Sequence, residues 1–303
     1  MKNILKMMDL NRKEIFQILD LADQLKYEKQ HHIEHRILQG KSIGMIFDKT
    51  STRTRVSFET GVYQLGGQPL FLSGKELQLK RGEPIQDTAR VLSRYLDCLI
   101  VRTAKQQDVE DYVKYGSIPV INGLTQFSHP CQILSDLLTM KEKYGSLENL
   151  NLCFIGDGSN VANSLIVGGL TMNMNVSVAT PEGYEPDKEV LEFASQYPSH
   201  FHIYNDPVQA ITNANIVVTE TWASMGSEDE IAMRMQDFKG FTIDKTLLSK
   251  ASKDVMVLHP LPAFRGQEIS EEVFEAHAQE IFDDAENRLH IQKAILVLLL
   301  KDA

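Results

Sequence analysis

The chain has 303 residues, and its 31 Lys and Arg against 41 Asp and Glu leave a formal net charge of −10. A domain ordinarily takes about 100–200 residues, so two are expected. With 43% hydrophobic and 24% charged residues there is ample apolar material for their cores. The acidic balance argues against a sequence-independent grip on nucleic acid or an anionic membrane, either of which needs a basic face. Small anions held by a few local arginines remain open. Cys98, Cys131 and Cys153 are odd in number and widely spaced, which indicates neither a disulfide framework nor a cysteine zinc site. Met1–Leu10 lacks the apolar run of a signal peptide. The last apolar run, Ile295–Leu300, is far short of the ~20 residues that cross a bilayer. A cytoplasmic protein without a membrane segment is expected.

Asn11 followed by Glu14 predicts a capped helix start, and Phe16, Leu19, Ala22 and Leu25 recur behind it at helical spacing. Residues 27–40 are polar and carry His31, His32 and His35; with Glu34 as the only acid at suitable spacing, they read as a solvated connector. Strands are expected at Ser42–Phe47, Leu99–Arg102 and Pro119–Asn122, with helices over Thr54–Leu65 and Gln132–Tyr144. The Gly145–Asn149 turn then opens a second series. Its strands are Leu150–Ile155, Val176–Thr180, Ile216–Thr219 and Val255–Leu258, and its helices Asn163–Met172 and Lys188–Tyr197. Helices over Glu271–Asp283 and Leu289–Leu300 close the chain. Strand–helix alternation of this kind predicts an α/β protein with two doubly wound parallel-sheet domains. The boundaries expected are 1–145 and 146–285. The C-terminal helix, 286–303, packs back on the first domain, and helices join the two.

Open parallel sheets bind ligands beyond the carboxyl ends of their strands, so the residues that follow each strand matter most. After the first strand come Thr50-Ser51-Thr52-Arg53-Thr54-Arg55, opening a helix. Unpaired N–H groups at a helix start welcome an anion, and four hydroxyls with two guanidiniums add donors that match phosphate oxygens. Arg102 ends the next strand, and His129 and Gln132 lie three apart at a helix entry, where both can reach one ligand. Gly156-Asp157-Gly158-Ser159-Asn160 after a strand, with Glu182 after the next, raises a nicotinamide-dinucleotide reading. The missing third glycine weighs against it, and it leaves Ser51–Arg55 unexplained. The loops Glu220–Gly226 and His259–Gly266 also follow strands, and Arg288 stands just before the closing helix.

Together these strings resemble the ornithine carbamoyltransferase family over essentially the whole chain. Ser51-Thr52-Arg53-Thr54-Arg55 and His129-Pro130-Cys131-Gln132 are shared with carbamoyltransferases in general. Ser224-Met225-Gly226, Leu261-Pro262-Ala263 through Arg265-Gly266, and Glu286-Asn287-Arg288-Leu289 are characteristic of the ornithine branch. The resemblance implies that Ser51, Thr52, Arg53, Thr54 and Arg102 hold the phosphate of carbamoyl phosphate. It implies that Gln78 reaches that phosphate from a neighbouring subunit, hence a homotrimer with shared sites. His129, Gln132 and Arg288 would hold the carbamoyl group, and the carbonyls of Pro260 and Leu261 its NH₂. Asn160, Glu220, Ser224 and Met225 would hold L-ornithine. No metal or organic cofactor is implied; the product would be L-citrulline, in the setting of arginine biosynthesis.

Two positions depart from the family. Glu220 stands where the family has aspartate, pushing the carboxylate ~1–1.5 Å further into the pocket. Pro260 stands where the family has cysteine; it keeps its carbonyl but loses a thiol and an N–H. The acceptor half is thus the altered half. Besides ornithine, the alternatives are another amine, such as putrescine or an acylated ornithine, and a carbamoyl-phosphate-binding paralogue with little turnover.

Overall fold

A computed structural model of the protein describes residues 1–223 and 230–301. They form two compact units, one of Met1–Ser135 with the closing segment from Glu286, the other of Asp136–Ala285.

In the first unit, helix α1 (Arg12–Gln30) starts as the sequence demands. The Asn11 side chain accepts from the Glu14 amide at 3.0 Å, and the Glu14 carboxylate accepts from the Asn11 amide at 3.1 Å. The helix buries Ile15, Ile18, Leu19, Ala22 and Leu25. Then follow β1 (Ser42–Phe47), α2 (Thr52–Gln64), β2 (Gln68–Ser73), α3 (Ile85–Leu92), β3 (Cys98–Arg102), α4 (Gln106–Tyr115) and β4 (Val120–Leu124). The sheet is parallel throughout, in the order β2-β1-β3-β4. Strands β1 and β3 are buried on both faces, as their unbroken apolar runs require.

Strand β2 and helices α3 and α4 were not expected from the sequence. Strand β2 lies at the sheet edge, is only partly buried and contains Pro69, which an edge tolerates. Nor is all of 27–40 a solvated connector. His35 is half-buried, its Nδ1 lies 2.9 Å from Glu28, and its Nε2 accepts from Lys293 Nζ at 2.7 Å. The acid that matters is Glu28, in the last turn of α1 and seven positions before His35, outside the spacing considered.

Helix α5 (Pro130–Tyr144) leads to the second unit. This unit comprises β5 (Asn151–Ile155), α6 (Asn160–Thr171), β6 (Asn175–Ala179), α7 (Lys188–Ala194), β7 (Phe201–Tyr204), α8 (Pro207–Ile211) and β8 (Ile216–Val218). It continues with α9 (Ile231–Asp237), α10 (Lys245–Leu248), β9 (Met256–Leu258) and α11 (Glu271–Ala276). Its parallel sheet runs β7-β6-β5-β8-β9. Trp222 belongs to the core here, stacked on Phe238 with ring centroids 5.4 Å apart. The chain closes with α12 (Ala278–Leu300), one continuous helix where a gap at 284–288 was expected; that segment holds neither glycine nor proline to break it.

Both strand orders reverse once. In the first sheet the chain runs outward from β1 on one side and β3 on the other; in the second, from β5 and β8. The crevice beyond the carboxyl ends of each central pair is where such sheets bind ligands.

Candidate active site

Beyond β1, Ser51 caps α2, its Oγ accepting from the Thr54 amide at 3.3 Å. The cap leaves the helix start with its dipole directed at the crevice. Thr52 and Arg53 are exposed there, while Thr54 is buried. Thr54 Oγ1 is the junction of the site. It accepts from Arg102 Nη1, at the end of β3, at 3.4 Å and from Arg288 Nη2, on α12, at 3.2 Å. Arg288 Nη1 donates to Gln132 Oε1 on α5 at 2.6 Å. Side chains 48, 156 and 234 positions apart in sequence thereby meet at the β1/β3 switch point, with Arg102, His129, Gln132 and Arg288 all buried.

The electrostatics match an anion. Burial and then the Arg288 and Arg53 charges bring the Arg102 guanidinium down to about 10. Partial desolvation, although Arg53 stays in contact with solvent, and then the Arg288 charge lower Arg53 as well. Burial, followed by Arg288, Arg102 and Arg53, holds His129 well below its ordinary range, so its imidazole is neutral at physiological pH. Gathering three guanidiniums around a neutral histidine is unfavourable unless an anion compensates them. Arg55 does not join them: it pairs with Glu59 at 3.1 Å and lies over the Phe71 ring. Of the two arginines in the string, only Arg53 faces the cluster's charges. Gln78 is exposed in a short turn, Gln78–Arg81, and among the described residues it makes no hydrogen bond to the cluster.

In the second unit, the turn after β5 needs Gly158, where a Cβ would lie 2.4 Å from the backbone of Glu185 and Pro186. Ser159 precedes α6, and its hydroxyl hydrogen-bonds the Glu220 carboxyl, just beyond β8. Ser159, Asn160 and Glu220 therefore share the β5/β8 switch point. Glu220 is 8% exposed. Burial pushes its carboxyl up to about 8, with Asp157 and Glu268 adding to the rise and Ser159 opposing it. Arg234 on α9 donates to Asp157 Oδ2 at 2.6 Å and to the Trp222 carbonyl at 2.7 Å. No motif marks Arg234, which stands 77 positions from Asp157; sequence reading missed it. Pro260 and Leu261 follow β9, partly exposed. Ser224 and Met225 lie outside the described residues. Glu182, the acid of the dinucleotide reading, is exposed and takes no part.

Comparison with known proteins accounts for both halves. Residues 2–142 match the carbamoyl-P binding domain of aspartate/ornithine carbamoyltransferases, and residues 148–299 match their Asp/Orn binding domain. The chain is 48% identical to an ornithine carbamoyltransferase of Methanocorpusculum labreanum, over 99% of this chain and 98% of that protein. It is 50% identical to one of Carboxydothermus hydrogenoformans, over 99% and 97%. Among solved structures, the ornithine carbamoyltransferase of Pyrococcus furiosus superposes with a TM-score of 0.94 at 45% identity, covering 99% of this chain and 97% of that one. The anabolic enzyme of Campylobacter jejuni gives 0.94 at 39%, with full coverage of both.

Proposed function

The chain belongs to the aspartate/ornithine carbamoyltransferase family, and on that premise we propose that it transfers the carbamoyl group of carbamoyl phosphate to the side-chain amine of L-ornithine, giving L-citrulline and phosphate. The observation that carries this reading is the junction at Thr54, where Arg102 and Arg288 converge at the switch point of the first sheet.

The amine must arrive uncharged to attack the carbonyl carbon. A C–N bond forms, the C–O bond to phosphate breaks, and the proton shed by the nitrogen leaves with phosphate or solvent. Negative charge grows first on the carbonyl oxygen and then on the departing phosphate. Ser51, Thr52, Arg53, Thr54 and Arg102 bind the phosphate; His129, Gln132 and Arg288 hold the carbamoyl group. Each well-placed donor to such developing charge is worth about 3–4 kcal/mol. His129, kept neutral by burial and by its three arginine neighbours, donates a hydrogen bond without adding charge. Asn160, Glu220, Ser224 and Met225 hold the amino acid, and the carbonyls of Pro260 and Leu261 accept from the carbamoyl NH₂.

Gln78, exposed and remote in hydrogen bonding from its own chain's cluster, acts in a neighbouring subunit of a homotrimer. The relatives named anabolic, from Pyrococcus furiosus and Campylobacter jejuni, favour a place in arginine biosynthesis. All three cysteines are buried and free, which accords with a reducing cytoplasm. Among the described residues no helix is long and apolar enough to cross a membrane.

Citrulline formation measured beside putrescine, acetylornithine and aspartate tests the acceptor. Ornithine is expected to give by far the highest kcat/KM; faster reaction of any other amine would overturn the assignment.

A further inference from the structure

One buried ionisable pair in the second unit takes no part in the reaction as described above. His259 and Glu268 have side chains with no solvent exposure, and His259 Nε2 lies 3.0 Å from Glu268 Oε1. The other ring nitrogen, Nδ1, accepts from the Leu261 amide at 2.9 Å. An acceptor nitrogen carries no proton, so the ring N–H is the one on Nε2, donated to Glu268. The same Glu268 oxygen accepts from the Phe264 amide at 2.6 Å. Two side chains thus clasp the turn 260–264 at both ends. Glu268 is itself anchored, because its carbonyl accepts from the Ile243 amide at 2.9 Å and the next residue bridges Ile243 and Arg265.

The clasp holds something that would otherwise relax. Leu261 has φ = +59°, the left-handed region that costs a side-chain-bearing residue roughly 1–2 kcal/mol. Stability alone does not call for this arrangement, since a buried ionisable pair is often no better for the fold than an apolar one. Glu268 Oε2 is moreover buried with no hydrogen-bond partner among the described residues. What the pair fixes is direction, that of the carbonyls on either side of the Leu261 amide.

We propose that His259 and Glu268 are positioning residues which aim the Pro260 and Leu261 carbonyls at the carbamoyl NH₂. The inference rests on the reaction proposed above. Glu268→Gln retains an oxygen that accepts from both His259 and Phe264, whereas Glu268→Leu retains none. In full-length protein, E268L is expected to lower kcat about 30-fold or more, less than the loss of a donor to developing charge because the carbonyls are misdirected rather than removed, and E268Q to stay within about threefold of wild type. Inorganic phosphate binding, which reports the first unit, is expected to be unchanged in both. A merely structural role would instead reduce the folded fraction and leave the kcat of the folded enzyme alone.

Amide exchange in the wild-type protein adds a readout that needs no variant. The Leu261 and Phe264 amides are expected to exchange about 100-fold or more slowly than free peptide despite the partly exposed turn. Exchange at the free-peptide rate, or a folded E268L as fast as wild type, would overturn the positioning role. Wild-type enzyme that forms no citrulline would instead refute the reaction, whatever the exchange rates.

Discussion

Replacing Glu220 by Gln isolates the most unusual charge in the protein. The Glu220 carboxyl is buried, hydrogen-bonded to Ser159, and pushed up to about 8 from an ordinary 4.5. Between these two values the unfolded chain has shed its proton while the native state retains it, so wild-type stability falls as pH rises through the window. Below 4.5 both states are protonated, and above 8 both are ionised. At pH 7 the accumulated cost is about 3 kcal/mol, from about 1.4 kcal/mol per pH unit over the distance from the unfolded value. The Gln amide has almost the same shape, keeps an oxygen for the Ser159 hydroxyl, and does not titrate. The stability of E220Q relative to wild type is therefore expected to climb by about 3 kcal/mol between pH 4.5 and pH 7 and to level off above pH 8. Thermal or urea unfolding of both proteins across that range measures it, and effects of titrating groups not coupled to Glu220 cancel in the difference. A gap independent of pH would refute the reasoning, because it would mean that Glu220 is already ionised in the fold. The same protonated acid implies that an ammonium bound beside it displaces a proton. Ornithine titrations in buffers of differing ionisation enthalpy would then show more proton release at pH 7 in the wild type than in E220Q, the excess being the proton of Glu220.

Two further outcomes follow. Mixed oligomers of Arg53→Ala and Gln78→Ala chains are expected to recover a fraction of wild-type activity that neither parent shows, because some sites then draw both residues from intact chains; mixed oligomers without recovery would show that Gln78 does not act in a neighbour's site. Lys293 is fully buried beside His35 and Gln64, and burial with the Lys29 charge brings it down to about 8, with Glu28 opposing. Its native value lies below its unfolded one, so raising the pH from 7 to 10 should shift the stability difference between Lys293→Met and wild type toward the wild type; a constant difference across that range would contradict the burial of a charged Lys293.

Much of this was legible in the sequence, for a physical reason. Short apolar runs mark the strands, so the positions of Ser51–Thr54, Arg102, Asn160 and Glu220 at or just beyond strand ends can be placed before any coordinates exist. The edge strand β2 was not legible, because a partly buried strand containing proline carries a weak pattern; α3 and α4 are clearly amphipathic but short, at 8 and 10 residues, and were missed for their length rather than their pattern. Long-range partners were invisible for a different reason. Nothing local tells that Thr54 joins Arg102 to Arg288, that Arg234 braces Asp157, or that Glu268 orients His259. Arg55 shows the converse: it stands in the most specific string of the chain, yet spends its charge on Glu59 and Phe71.

The clustered guanidiniums are the centre of the account, and their affinity for the donor can be measured without turnover. Calorimetric titration with phosphonoacetamide, a stable carbamoyl phosphate analogue, reads it directly in wild type, Arg102→Met and Arg288→Met. Loss of a charge-assisted hydrogen bond at a buried site costs about 1.5–3 kcal/mol, so each variant is predicted to bind at least about tenfold more weakly. Binding of undiminished affinity in both folded variants would contradict the claim that these arginines grip the acyl phosphate.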